Sequence, residues 1–350
     1  MTEAAQGGSP ERVETANEGP AEAVERGQAL AERTRAGERR ALARLLTEVE
    51  NRSRAAEAAL RILYPLAGEA HLVGVTGAPG AGKSTLVAAL VGEARKSGRP
   101  VAVLAIDPSS PITGGAILGD RVRMQAYAGD PDVFIRSMAS RGHVGGLATS
   151  TVAAAAVLDA AGFPLVFIET VGTGQSEVEV AAIADTTLVV QAPEMGDEVQ
   201  AIKAGLLEVA DIVVVNKADR PGADRAASHL RSMLTVGAQH DRAMGDRPRP
   251  KRPEVLLASG ASGQGVPEVL ASLDRREAKR RAAGTSGEAD GARLARAEAQ
   301  VWGILAERLR GRVREPARAA ETKVVLRAVA DHELDPYAAA DRLLAALTDR

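Results

Sequence analysis

The chain has no cysteine in 350 residues, which excludes a disulfide framework and any thiolate metal centre. Aromatics are almost as scarce, with three Phe, three Tyr and one Trp, so a core must be assembled from Ala, Val, Leu and Ile. A strong charge of either sign is missing too. The 44 basic and 46 acidic residues leave a formal net charge of −2, which gives no global sign of a nucleic-acid surface. No apolar run approaches the length a bilayer requires, and the polar, acidic N-terminus has no signal-peptide core. The expected setting is cytoplasmic, with no membrane and no nucleic acid as partner.

What is present is a phosphate-binding signature. Residues 77–85 read Gly77-Ala78-Pro79-Gly80-Ala81-Gly82-Lys83-Ser84-Thr85, directly after the apolar run 71–76 and before a helical pattern over 86–94. G-x-x-x-x-G-K-[ST] between strand and helix is the context of a P-loop rather than of a chance glycine-rich turn. Gly77, Gly80 and Gly82 let successive backbone N–H groups curl inward toward a polyphosphate. Lys83 is expected to reach the β- and γ-phosphates, and Ser84 to offer a hydroxyl to Mg²⁺. The helix N-terminus faces the same anion.

The surrounding pattern predicts strands at 71–76, 100–106, 132–136, 164–169, 186–191, 211–216 and 254–258. Most are continuous apolar runs, such as Val101-Ala-Val-Leu-Ala-Ile106, suited to strands buried on both faces. Helical segments alternate with them, at 85–97, 145–161 and 196–210. The fold class is therefore α/β, a doubly wound and mostly parallel sheet. Residues 1–25, poor in large apolar side chains, are expected to be disordered. A helical segment is expected over 26–66, with Leu42, Leu45, Leu46 and Val49 on one face. The nucleotide domain should span 67–275 and a helical extension 276–350. Residues 275–291 look like a linker. A helix over 292–313 should turn Leu294, Val301, Ile304, Leu305 and Leu309 inward, and Asp335-Pro336 should start a last helix over 336–348. This tail is too small to bury its own apolar faces.

A second motif points to the base. Val213-Val-Val-Asn216-Lys217-Ala-Asp219 is an apolar strand running into N-K-x-D. A carboxylate there can accept from both N1–H and N2–H₂ of guanine, a donor pair that adenine lacks. Asn216 would brace the loop, and the Lys217 stem would cover the ring. Ser259-Gly260-Ala261, after the last strand, fits a loop whose backbone touches the base, although the usual Ser-Ala is here Ser-Gly. GTP or GDP is the expected ligand.

Acidic residues close other strands. Glu169 opens Glu169-Thr-Val-Gly172, where most P-loop GTPases have Asp. Asp107 follows Ile106, and Asp120 lies in Leu118-Gly-Asp. Several carboxylates around one triphosphate need a cation among them, although each alone could be a helix cap or a solvated charge. Glu169 can hold magnesium directly or through water, and Gly172 can turn its N–H toward a γ-phosphate. The glutamine that follows the switch glycine in Ras-like GTPases is replaced by Thr173, with Gln175 further on. Slow unassisted hydrolysis is expected, with a partner or a mobile loop completing the site.

From about Arg39 to the C-terminus the chain resembles the MeaB/ArgK group of GTPases. The resemblance rests on Arg39-Arg-Ala-Leu-Ala-Arg44, the P-loop, Asp107-Pro-Ser-Ser110, Thr113-Gly-Gly115, Ile117-Leu-Gly-Asp-Arg121, Arg123-Met124, Glu169-Thr-Val-Gly-Thr-Gly-Gln-Ser-Glu177, Gly196-Asp-Glu-Val-Gln-Ala-Ile-Lys-Ala-Gly205 and Asn216-Lys-Ala-Asp219. Pro111, Ile112 and Ala116 depart from the pattern, and the basic loop 247–253 is rich in Arg and Pro. The resemblance implies a homodimer built through the C-terminal extension. It also implies a G-protein chaperone whose GTP cycle gates adenosylcobalamin transfer into an acyl-CoA mutase, such as methylmalonyl-CoA mutase, and protects that enzyme. By the same resemblance Ser84, Asp107, Asp120 and Glu169 would serve Mg²⁺ at different stages. Asp197, Gln200 and Lys203, on an extra switch segment, would reach the nucleotide when the mutase docks.

Two other enzyme classes share some of these features. A metallochaperone GTPase also uses Glu in the second acidic motif, but it needs thiolate or His clusters, and the five His here are scattered. A kinase or ATPase acting on amino-acid transport binding proteins would need a catalytic base beside an acceptor hydroxyl, and no such signature is found. A scaffold that binds GTP only to fix its shape would differ from both in needing no hydrolysis.

Overall fold

Every apolar run predicted as a strand forms one: β1 (His71–Thr76), β2 (Val101–Pro108), β3 (Val133–Ser140), β4 (Leu165–Thr170), β5 (Thr186–Gln191), β6 (Ile212–Val215) and β7 (Glu254–Leu257). The structure, a computed structural model, describes residues 19–108, 125–127, 129–140, 146–170, 180–193, 206–241, 252–284, 288–315 and 317–348. The strands form one sheet in the order β3-β2-β4-β1-β5-β6-β7, and every pairing is parallel. From the β3 edge the chain returns to β4, beside β1, and then crosses to β5 on β1's other flank. The winding direction reverses at β1, whose carboxyl end opens onto the crevice where such sheets bind ligands.

Side-chain alternation sends β4 into two cores. Leu165 and Phe167 join Val73, Val75, Leu86 and Leu90 under α4 (Lys83–Lys96) and α7 (Val266–Ala283). Val166 and Ile168 join Leu45, Leu46, Leu104 and Leu158 under the N-terminal helices and α5 (Gly146–Ala160). A smaller cluster packs Ala227 and Leu230 of α6 (Ala223–Asp241) on Val213, Val215 and Val255. Both faces are covered, which is why the strands read as unbroken apolar runs.

The N-terminal segment comprises α1 (Pro20–Arg35), α2 (Arg39–Asn51) and α3 (Arg54–Leu63). The helix begins at Pro20, so residues 20–25 are helical and not disordered as expected. Proline fits the first turn because its missing N–H would be unpaired there anyway. Ser53 caps α3 by accepting from the Ala56 N–H at 3.1 Å. From α2, Glu50 accepts from Arg136 at 2.8 Å and from the Ala139 N–H at 3.1 Å, covering the open edge of β3.

Two further expectations are corrected in the C-terminal part. The charged stretch 275–283 is not linker. It completes α7, where Glu277 accepts from Arg280 at 2.7 Å and Arg281 at 2.6 Å, pairs spaced for one helix face. In α8 (Glu288–Val313), Leu294 and Val301 are more than 60% exposed and Leu305 is 42% exposed, not turned inward. The chain continues into α9 (Ala319–Ala330), which the proline at 316 had obscured, and α10 (Pro336–Thr348). Among the described residues no helix is long and apolar enough to cross a membrane.

At the amino end of β1, away from the P-loop, His71 is buried with Nε2 2.8 Å from Thr186 Oγ1. Burial pushes its pKa below 6.5, against the pull of Glu277 and Asp185. Burial opposes ionisation of Glu277, but hydrogen bonds from Arg280 and Arg281 win and hold it at about 2 against an ordinary 4.5. Both groups bind fewer protons folded than unfolded, so stability falls on acidification in two windows. The His71 contribution is present above pH 6.5 and declines below it, and the Glu277 contribution declines from pH 4.5 toward 2. Urea midpoints measured against pH should show both, and His71→Gln should flatten the upper window alone.

Candidate nucleotide-binding site

β1 delivers the chain to Gly77 at φ +135°, where a Cβ would lie 2.1 Å from the Val190 carbonyl oxygen of β5. Only glycine allows that approach and that conformation. The loop ends at Gly82, left-handed at φ +88°, and α4 starts with no side chain capping its first amides. Uncapped N–H groups at a helix start, preceded by a curled loop, form an anion receptor.

Two side chains stand at its rim. Lys83 is buried, and its ammonium donates to the carbonyls of Gly77 at 2.7 Å and Ala78 at 3.2 Å. Ser84 Oγ donates to Glu169 Oε1 at 2.6 Å, with both residues buried. Glu169 reaches this point because β4 pairs directly with β1, placing it opposite Val75. A hydroxyl and a carboxylate converging beside the anion receptor are hard oxygen donors of the kind Mg²⁺ takes, so the residues present fit that ion.

Across the crevice, β6 delivers Asn216, which is 2% exposed. Its Nδ2 donates to the carbonyls of Ala81 at 2.9 Å and Gly82 at 3.1 Å, and its Oδ1 accepts from the Gly260 N–H at 3.0 Å. Lys217, left-handed at φ +57°, donates from Nζ to the Gly80 carbonyl at 2.8 Å, so its stem spans from the N-K-x-D strand to the P-loop. Asp219 is exposed at the mouth. A hydrogen bond from Ser259, aided by its own backbone N–H, holds its carboxyl below the usual range. It is thus ionised and oriented, able to accept two donors from a ligand edge.

The structure brings Gly77–Thr85, Glu169, Asn216–Asp219 and Ser259–Ala261 to the carboxyl ends of β1, β4, β6 and β7. The Asp107 backbone lies next to last in β2, opposite Ala139, but its side chain lies outside the described residues. Asp120, Gly172, Asp197, Gln200 and Lys203 also lie outside them, as do residues 109–124 and all of the basic loop 247–253 but its last two residues. Pattern reading missed the Ser84–Glu169 contact and the Gly260 amide. The second had one visible signal, a glycine where such loops usually carry alanine.

Asn216→Ala would strand the buried Ala81 carbonyl and the partly buried Gly82 carbonyl and Gly260 amide. It should lower stability by about 2–4 kcal/mol, read as a reduced urea midpoint at unchanged slope.

Comparison with known proteins agrees with this geometry. Residues 42–318 match the family model described as methylmalonyl Co-A mutase-associated GTPase MeaB. A Pyrococcus abyssi protein named as a candidate GTPase is 46% identical over 316 residues, covering 90% of this chain and 95% of that one. The GTPase ArgK of Escherichia coli is 41% identical over 241 residues, 68% of this chain and 72% of its own length. The mouse methylmalonic aciduria type A homolog, mitochondrial, is 33% identical over 282 residues, covering 79% and 66% respectively. Among solved structures, the crystal structure of an LAO/AO transport system kinase superposes with a TM-score of 0.63 at 27% identity, covering 95% of this chain and all of that one. The seven-stranded parallel sheet, the P-loop and these matches together place the chain in the MeaB family of GTPases, related to those associated with methylmalonyl-CoA mutase.

Proposed function

We propose that this protein is a GTP-hydrolysing chaperone of an adenosylcobalamin-dependent acyl-CoA mutase, gating cofactor loading and protecting the loaded enzyme. The observation that carries the nucleotide part is the Asn216 side chain, which ties the P-loop to the base-side loop so that one ligand is gripped at both ends. The mutase part rests on the family whose model spans most of the chain.

In this reading the P-loop amides and the α4 N-terminus hold the polyphosphate. Lys83 exchanges the Gly77 and Ala78 carbonyls for β- and γ-phosphate oxygens. Asp219 accepts N1–H and N2–H₂ of guanine while the Lys217 stem lies along the ring. Ser84 and Glu169 would hold Mg²⁺, joined at other stages by Asp107 and Asp120. When bound there, the ion would supply charge neutralisation for the phosphate oxygens. The Gly172 N–H would turn toward the γ-phosphate while water attacks the γ-phosphorus, so that the bond to the β–γ bridging oxygen breaks, GDP leaves and the water's proton passes to the released phosphate. Thr173 cannot orient that water as glutamine does, so turnover is slow until the docked mutase brings Asp197, Gln200 and Lys203 to the nucleotide.

The chain acts as a homodimer through its C-terminal helices. Trp302 is 60% exposed beside Leu294 and Val301 on α8, Val324 and Leu326 protrude from α9, and Tyr337 from α10. So many large apolar side chains on one small tail call for a covering surface.

Purified protein should hydrolyse GTP slowly, and saturating mutase should raise the rate by about tenfold or more in a phosphate-release assay. An unchanged rate with a mutase that co-purifies would sink the chaperone reading. Light scattering should give twice the chain mass, Val301→Glu with Leu305→Glu should halve it, and Trp302 emission should shift as the parent is diluted through dissociation.

A further inference from the structure

The loop after β7 is a closed unit. The Ser259 N–H donates to the Gln264 carbonyl at 2.8 Å, the Gly263 N–H to the Ser259 carbonyl at 2.8 Å, and the Ser262 N–H to Ser259 Oγ at 3.2 Å. Its base is fixed to the sheet through the Ala258 N–H, which donates to the Val215 carbonyl at 3.0 Å. A loop bonded to itself in this way moves as one piece. Ser259, which orients Asp219, therefore goes wherever Gly260 goes.

Gly260 sits directly against the phosphate-side helix. A Cβ on it would lie 2.8 Å from both Cα and N of Leu86 and 2.9 Å from the Thr85 carbonyl carbon. These are backbone atoms of the first turn of α4, next to Ser84, and no side-chain rotation relieves the overlap. Restoring ordinary contact at 3.4 Å would need a shift of about 0.6 Å. Binding constellations tolerate about 0.5 Å before they loosen. The same shift would lengthen the 3.0 Å bond from the Gly260 N–H to Asn216, whose amide nitrogen holds the P-loop.

We infer that Gly260 is a positioning residue that couples the two halves of the site: its bare backbone seats the purine-side loop on the first turn of α4. Phosphates engaged at α4 then steady Ser259 and Asp219, and a purine engaged at Asp219 steadies the P-loop through Asn216. The coupling rests on the nucleotide reading proposed above. Its ligand is a guanine nucleoside polyphosphate, and its consequence is that base selectivity depends on contact with the phosphate helix.

The test uses the full chain and calorimetry with GDP and IDP, which lacks the exocyclic amine Asp219 would bind. Gly260→Ala should weaken GDP binding by about tenfold and narrow the preference for GDP over IDP by about threefold. Its melting temperature without nucleotide should stay within a few degrees of the parent. A folded variant that keeps GDP affinity within about twofold, with the preference intact, overturns the coupling. Independently of any variant, inorganic pyrophosphate on the parent should slow amide exchange in residues 259–264 as well as in 77–86. Protection confined to 77–86, or found in neither segment while GDP binds, also overturns it. A parent that gives no heat with GDP would instead remove the nucleotide reading itself.

Discussion

The Asn216 side chain is the junction on which the crevice depends. One amide group spends both of its polar atoms on backbone, two carbonyls of the phosphate loop on one side and one amide of the base-side loop on the other. The Ala81 carbonyl is buried and the Gly82 carbonyl and Gly260 amide are partly buried, so each would be costly to leave unpaired. Because β6 fixes the Asn216 backbone and β1 fixes the start of the P-loop, the bond transmits the rigidity of the sheet to two loops that have no regular structure of their own. Gly82 belongs to the same junction. A Cβ there would lie 2.5 Å from Asn216 Nδ2, so the glycine leaves room for the amide.

Around this junction the groups at the two ends of the crevice are pre-arranged in different ways. Ser84 Oγ already donates to Glu169 in a buried hydrogen bond, which holds the hydroxyl and the carboxylate together beside the P-loop. Lys83 and Lys217 rest on loop carbonyls, which keeps both ammonium groups near the anion path without stranding them. Asp219 differs in being exposed, and its carboxylate is kept ionised and aimed by Ser259. The phosphate-loop side of the crevice is thus buried and internally hydrogen-bonded, whereas Asp219 at its mouth is exposed.

The helical segments at the two ends of the chain serve different needs. The N-terminal helices complete one face of the sheet and seal its β3 edge with Glu50, so they belong to the core. The C-terminal helices meet that body through contacts that include Arg308 with Glu57 at 3.0 Å, and while Val325 and Ala339 are buried, Leu294, Val301, Trp302, Val324, Leu326 and Tyr337 stay exposed.

The strands, the P-loop and the N-K-x-D motif were all legible in the amino-acid order, because each depends on local spacing: an unbroken apolar run, glycines at fixed offsets, a carboxylate just past a strand. The direction each C-terminal helix faces was not legible. Periodicity locates an apolar stripe on α8 but says nothing of whether its own body or a second copy lies opposite. The charged end of α7 was misread for a related reason, since i to i+3 and i+4 pairs around Glu277 stabilise a helix that composition alone marks as linker. The Ser84–Glu169 bond and the seat of Gly260 on Leu86 join residues 85 and 174 positions apart. Only strand order and helix packing, which depend on how distant segments exclude water together, could bring those pairs within reach.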